Sequence, residues 1–202
     1  SSMRLKLNRN LKTALWIVLG VGLLYLVGYF FISPGFVPPQ FNEARNKSGL
    51  FAKEIVALTE ESLKNLDVIS LNDREYNFRK ALGLVREELE RAKNSRLKAI
   101  ELTNQLDAMA RGAAGITPSK ARDLAMQAVA DELSLISHLI VYNDILNGLL
   151  QTLEFKFSGD IRYDSQDVQN LIQSMNTEAR EINNLNESFN QKMQELDKLT
   201  NN

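Results

Sequence analysis

His138 is the one imidazole in a chain of 202 residues, and cysteine is absent. Chemistry that needs two imidazoles from one chain, a thiolate nucleophile, Cys-ligated zinc or an iron–sulfur centre is therefore excluded. A di-iron or di-manganese bundle displays a Glu-x-x-His pair on each of two helices. The residue three positions before His138 is Leu135, so that site is missing, and no metal or other cofactor is expected. Ser134 or Ser137 with His138 and Asp144 supplies the residue types of a hydrolytic triad, but adjacent residues on a helix point apart. Arg111-Gly112-Ala113-Ala114-Gly115 has glycines like a phosphate loop, without the preceding strand or the Gly-Lys-Ser ending, and reads as a helix stop. No catalytic residue is assigned, and the chain is not expected to be an enzyme.

Two other groups could bind something. Asn143, Asn147, Asn183, Asn184, Asn186 and Asn190 give the C-terminal half an unusual amide content. Amides in a helical seam fix register or oligomeric state; alternatively His138, Asn143, Asn147 and Asn186 line a polar pocket for a small ligand between the third and fourth helices. Tyr76, Phe78, Phe155, Phe157 and Tyr163 fall near the expected end of a bundle. Clustered exposed aromatics are anchors for a protein partner, although capping the core explains them equally well.

The elements that position these groups follow from hydropathy. An apolar share of 44% with 24% charged residues is that of a folded protein and excludes wholesale disorder. Between Lys12 and Glu43 there is no charge, and Ala14 to Ile32 is apolar apart from its glycines and two tyrosine hydroxyls. At about 1.5 Å per residue this run covers the roughly 30 Å of a bilayer's hydrocarbon. Trp16, Tyr25 and Tyr29 fit the interfacial aromatic belt. Arg4, Lys6, Arg9 and Lys12 precede the run without an acidic residue among them, which by the positive-inside rule places the N-terminus in the cytoplasm. A cleaved signal peptide has a shorter apolar region and a small-x-small site, so an uncleaved signal anchor is expected. Setting aside those four cations leaves 20 basic against 25 acidic residues, a balance that argues against nucleic-acid binding.

The organisation expected is a basic cytoplasmic tail over 1–12, a transmembrane signal anchor over 13–33, a linker over 34–41 carrying Pro34, Pro38 and Pro39, and an extracytoplasmic bundle over 42–202. In the bundle, apolar residues recur at three- and four-residue steps. The first helix is expected from Asn42 to about Asp67. Asn72-Asp73-Arg74-Glu75 offers a capping box for a second, with a seam through Phe78, Leu82, Val85, Leu89 and Ala92 that continues to Ala99 and Leu106. Gly112 and Gly115 end it, and Thr117-Pro118 restarts the chain as N-cap and first helical residue. The third helix is the most apolar, through Leu135, Leu139, Tyr142, Leu146, Leu149 and Leu153. Ser158-Gly159-Asp160 breaks it, and Asp164 or Ser165 caps a fourth helix with Val168, Ile172, Met175, Ala179, Ile182, Phe189, Met193 and Leu196 on its seam and a gap at Asn186.

The fold class is thus all-α, an N-terminal membrane helix followed by an antiparallel up-down-up-down four-helix bundle. This layout, though no residue motif, is similar to that of LemA-type proteins and chemoreceptor sensor domains. The function expected is a non-enzymatic scaffold or protein-interaction module of the cell envelope. Its partners are the lipid bilayer, other envelope proteins and a second copy of itself, and not nucleic acid; the alternative is a small-ligand sensor or carrier.

Overall fold

The computed structural model describes residues 37–200. Among them are four α-helices and no strand: α1 Pro39–Arg74, α2 Phe78–Ala113, α3 Ser119–Ser158 and α4 Ser165–Thr200. The basic tail and the anchor with Trp16, Tyr25 and Tyr29 lie outside the described residues.

Consecutive helices pack side by side, α1 on α2, α2 on α3 and α3 on α4. Cross-helix pairs fix their direction, because Ser48 faces Met109 while Asn65 faces Glu88. Residue numbers rise on one helix as they fall on the other, so the neighbours are antiparallel. The Cα atoms of α1 and α4 stay more than 8 Å apart, and that wider side is spanned by Arg45 reaching Asp197 at 3.5 Å. Burial raises the Asp197 carboxyl above its usual range, with the Arg45 guanidinium opposing the rise.

One apolar core runs the length of the bundle. α3 supplies the largest share of it, including Leu135, Ile136, Leu139, Leu146, Leu149, Leu150 and Leu153. On α1 and α2 the inward positions hold small residues, among them Ala44, Ser48, Ala52, Ala81, Ala92 and Ala99. Gly112 comes so close to α1 that a Cβ there would sit 2.9 Å from the Phe41 amide nitrogen and 3.0 Å from its Cα. Among the described residues α3 is the helix long and apolar enough to cross a membrane by length and composition. It packs on both α2 and α4 and carries Glu132, Asp144 and Glu154, the setting of a bundle's central helix.

Several boundaries differ from expectation for identifiable reasons. α1 begins at Pro39, inside the stretch read as linker, with proline at the first helical position, where its missing N–H costs nothing. It then runs to Arg74, and the capping box is not formed. Asn72 is a buried residue within α1 and donates Nδ2–H to the Val68 carbonyl; the chain turns instead over residues 75–77, and α2 starts at Phe78. The seam of α2 also shifts. Val85, Ala92, Ala99 and Leu106 are inside as expected, but the alternate positions are Ala81, Glu88, Ser95 and Leu102, while Leu82 and Leu89 are half-buried and Phe78 is exposed. Pro118 stands at the N-cap of α3 rather than its first turn. α3 does end at Gly159, whose φ of 74° lies in the left-handed region that glycine enters freely. Asp164 Oδ1 accepts the Gln166 N–H at 2.8 Å ahead of α4, satisfying one of the free donors at that end.

Candidate functional site

The α1–α2 and α3–α4 turns lie at the same end of the bundle, opposite the end where Pro39 and Thr200 lie. Lys156 ties them together, its Nζ standing 2.7 Å from Asp73 Oδ2 on α1. The same ammonium lies 5.7 Å from the ring centres of Phe157 and Tyr163, within the range of cation–π attraction. Phe157 is buried and stacks on Phe78 at 5.9 Å, and Phe78 meets Tyr76 edge to face at 6.0 Å. Phe155 sits apart from this chain of rings, beneath the Arg162 guanidinium at 4.1 Å.

Of the five aromatics singled out, the structure brings Tyr76, Phe78 and Phe157 into contact and joins Tyr163 to them through Lys156. They divide into two roles. Phe157 closes the end of the core, whereas Tyr76 is 64% exposed. Tyr76 is also the one non-glycine residue with positive φ, 59°, among the described residues. That conformation costs a β-carbon-bearing residue on the order of 1 kcal/mol, and the turn holding it is bonded through Asn77 N–H to the Asn72 carbonyl at 2.8 Å. In the other turn Ile161 is 99% exposed. Its loop is fixed by Asp160, which accepts from the Arg162 backbone N–H, Nε and Nη2 at 2.9, 3.0 and 2.7 Å. Those bonds hold the Asp160 carboxyl down at about 2. Ile161 escaped the sequence reading because a lone aliphatic between polar turn residues breaks no periodic pattern, and that isolation was itself the signal.

The four residues of the alternative ligand site do not come together. His138 Nδ1 pairs with Glu178 Oε2 at 2.7 Å on the partly exposed edge of the α3–α4 seam. Asn143 is buried and donates to the Leu139 carbonyl of its own helix at 2.9 Å. Asn147 accepts from Gln151 one turn along. Asn186 is buried on α4, but the register set by Asp131 with Lys192 and His138 with Glu178 places it level with Ser134, about two and a half turns from Asn143.

Two acids are buried against expectation: Glu88 belongs to a mixed run with Arg86, Glu87, Glu90, Arg91 and Lys93 that reads as a solvated face, and Glu132 drew no notice in the sequence. Glu88 lies on α2 and Glu132 on α3, both inside the core. No group of three or more His, Cys, Asp or Glu side chains able to hold a metal occurs among the described residues. No family model, curated protein or solved structure matches the chain.

Proposed function

We propose that the protein is a non-enzymatic scaffold of the cell envelope, held by a single N-terminal membrane helix with its bundle on the extracytoplasmic side, and that it engages a partner protein through its aromatic end. The observation that carries this reading is the exposure of Tyr76 and Ile161 in the two turns at one end of the bundle, which Asn77, Asp160 and Lys156 hold in place. An apolar side chain kept in water by an ordered turn gains nothing for the fold and becomes useful when a partner covers it. The charge-free run from Ala14 to Ile32 supports the anchor. It is joined to α1 at Pro39, so helices of 36 residues carry the aromatic end roughly 54 Å from the attachment point.

Photo-crosslinking in intact membranes tests the reading. A photoreactive residue in place of Tyr76 or Ile161 is expected to give one discrete adduct, and the same residue in place of Thr117, at the opposite end, none. Recovery of monomer alone from all three positions defeats the proposal, and an adduct of twice the chain mass redirects it to self-association. Protease protection in right-side-out cells tests sidedness separately: the bundle is expected to be cleaved from outside.

A further inference from the structure

A carboxylate removed from water needs a cation or several hydrogen-bond donors. Glu132 is 1% exposed, and its Oε2 has no hydrogen-bond partner among the described residues. α3 packs on α2 and α4, so the groups able to answer it can be followed. On α4, Lys192 is engaged by Asp131 and Ser188, and Glu178 by His138. Between those pairs the inner face of α4 offers Asn186 and Asn190, both buried, and Asn190 Oδ1 accepts no hydrogen bond. On α2, the pairs Arg96–Asp144 and Arg86–Glu154 set a register that puts Leu106 and Met109 opposite Glu132. The charged residues of that stretch, Asp107 and Arg111, are exposed and paired with each other. Arg45 of α1 is bound to Asp197. Among the described residues no cation is paired with Glu132, and the charge that acts on it is the like-signed Asp131.

While Glu132 is ionised, its carboxylate and the Asn190 amide oxygen are both acceptors and neither can satisfy the other. One proton changes that, because a carboxylic acid is a donor. A metal ion answers the arrangement less well: one carboxylate and amide oxygens among leucine and methionine fall short of the six or more oxygens a calcium or magnesium ion takes.

We propose that Glu132 is a proton-binding site in the bundle core, carrying its proton at neutral pH and donating it across the α3–α4 seam to the Asn190 amide. Burial, with Asp131 adding to it, raises this carboxyl from the ordinary 4.5 to about 8. The folded bundle therefore binds a proton that the unfolded chain releases. Stability contributed by this group is fully present below about pH 4.5, falls as pH rises from there to about 8, and changes no further above that.

The test uses the full chain in detergent micelles with carboxyl-13C glutamate, the Glu132 signal being assigned through bonds from its backbone. A midpoint near pH 8 is expected; a midpoint between 4 and 5 overturns the proposal, and so does a midpoint lowered by more than one pH unit on adding calcium, magnesium or potassium, which would mark a cation site. Independently, the unfolding constant of the wild type divided by that of E132Q is expected to rise by about tenfold per pH unit between about pH 5 and 8, and a flat ratio overturns it. The carboxyl titration is read on the wild type alone, so it decides the matter even if E132Q does not fold.

Discussion

Glu88 in the α1–α2 seam and Glu132 in the α3–α4 seam are equally removed from water and each has a buried Oε2 without a hydrogen-bond partner among the described residues, yet only Glu88 is joined to a cation there. Glu88 Oε1 accepts from Asn65 Nδ2 and Arg91 Nε, each at 2.6 Å, and Arg91 is held in turn by Glu61 at 2.6 Å. Glu132 is paired with no cation among the described residues and stands beside Asp131. The same contrast extends to the backbone. In the first seam Gly112 touches the main chain of Phe41, whereas in the second a Cβ on Gly148 would meet only Leu171 Cδ2 at an ordinary 3.5 Å. Ion pairs cross both seams, but in the α1–α2 seam the buried acid is answered by Arg91 and the backbones approach closely, whereas in the α3–α4 seam the buried acid lies among apolar side chains with no cation among the described residues. A buried acid says little about a protein until its donors are counted.

The largest expected effect comes from stripping Glu88 of its cation. Arg91→Leu leaves a fully buried carboxylate with only Asn65 as donor, and is expected to destabilise the bundle by about 3 kcal/mol in denaturant titrations at pH 7. A loss below about 1 kcal/mol would show that Arg91 is not what holds Glu88 in the core and would erase the difference between the two seams. Glu132→Gln is expected to act in the opposite direction. At pH 7 folding the wild type requires protonating Glu132, and the amide removes that requirement while keeping a donor for Asn190, so a gain of about 3 kcal/mol is expected. The gain should shrink to nothing near pH 4, where the acid is protonated in both states.

These two acids also show what could and could not be read beforehand. Four helices, their number and their turns were legible because Val85, Ala92, Ala99 and Leu106 on α2, or Leu139, Leu146 and Leu153 on α3, repeat with helical period and because Gly159 and Asp164 are specific stop and start signals. The seam of α2 was half legible: a search for apolar residues chose Leu82 and Leu89 over Glu88 and Ser95, since hydropathy cannot register an acid whose donors, Asn65 and Arg91, lie on another helix and one turn away. Asn72 was misread for a related reason. A cap signature is a local pattern, and Asn72 is instead satisfied by the Val68 carbonyl in a helix that tertiary packing extends to Arg74. At the aromatic end, Phe78 and Phe157 were identified by type, but their separation into a buried plug and an exposed display with Tyr76 and Ile161 depends on two turns distant in sequence.

The glycines sharpen the comparison at smaller magnitude. Gly112→Ala forces a methyl group against the backbone of Phe41, which cannot rotate away, and is expected to cost about 1.5 kcal/mol. Gly148→Ala in the other seam meets the end of a flexible leucine and is expected to stabilise by about 0.5–1 kcal/mol through helix propensity. Thermal melts of the two variants side by side decide this; equal shifts would mean that the seams are equally tight.

The smallest expected effect separates Glu132 from the residue most easily mistaken for it. Imidazoles are the usual source of titration between pH 5 and 8, and His138 is the chain's one histidine, on the same helix as Glu132 and in the same seam. Its pairing with Glu178 is partly exposed, so His138→Gln is expected to change stability by less than about 0.5 kcal/mol. The pH dependence is the informative part. If the fall in stability between pH 5 and 8 belongs to Glu132, it persists with unchanged slope in H138Q and disappears in E132Q. If the fall vanishes in H138Q instead, it does not belong to Glu132, and the contrast between the two buried acids loses its pH-dependent half.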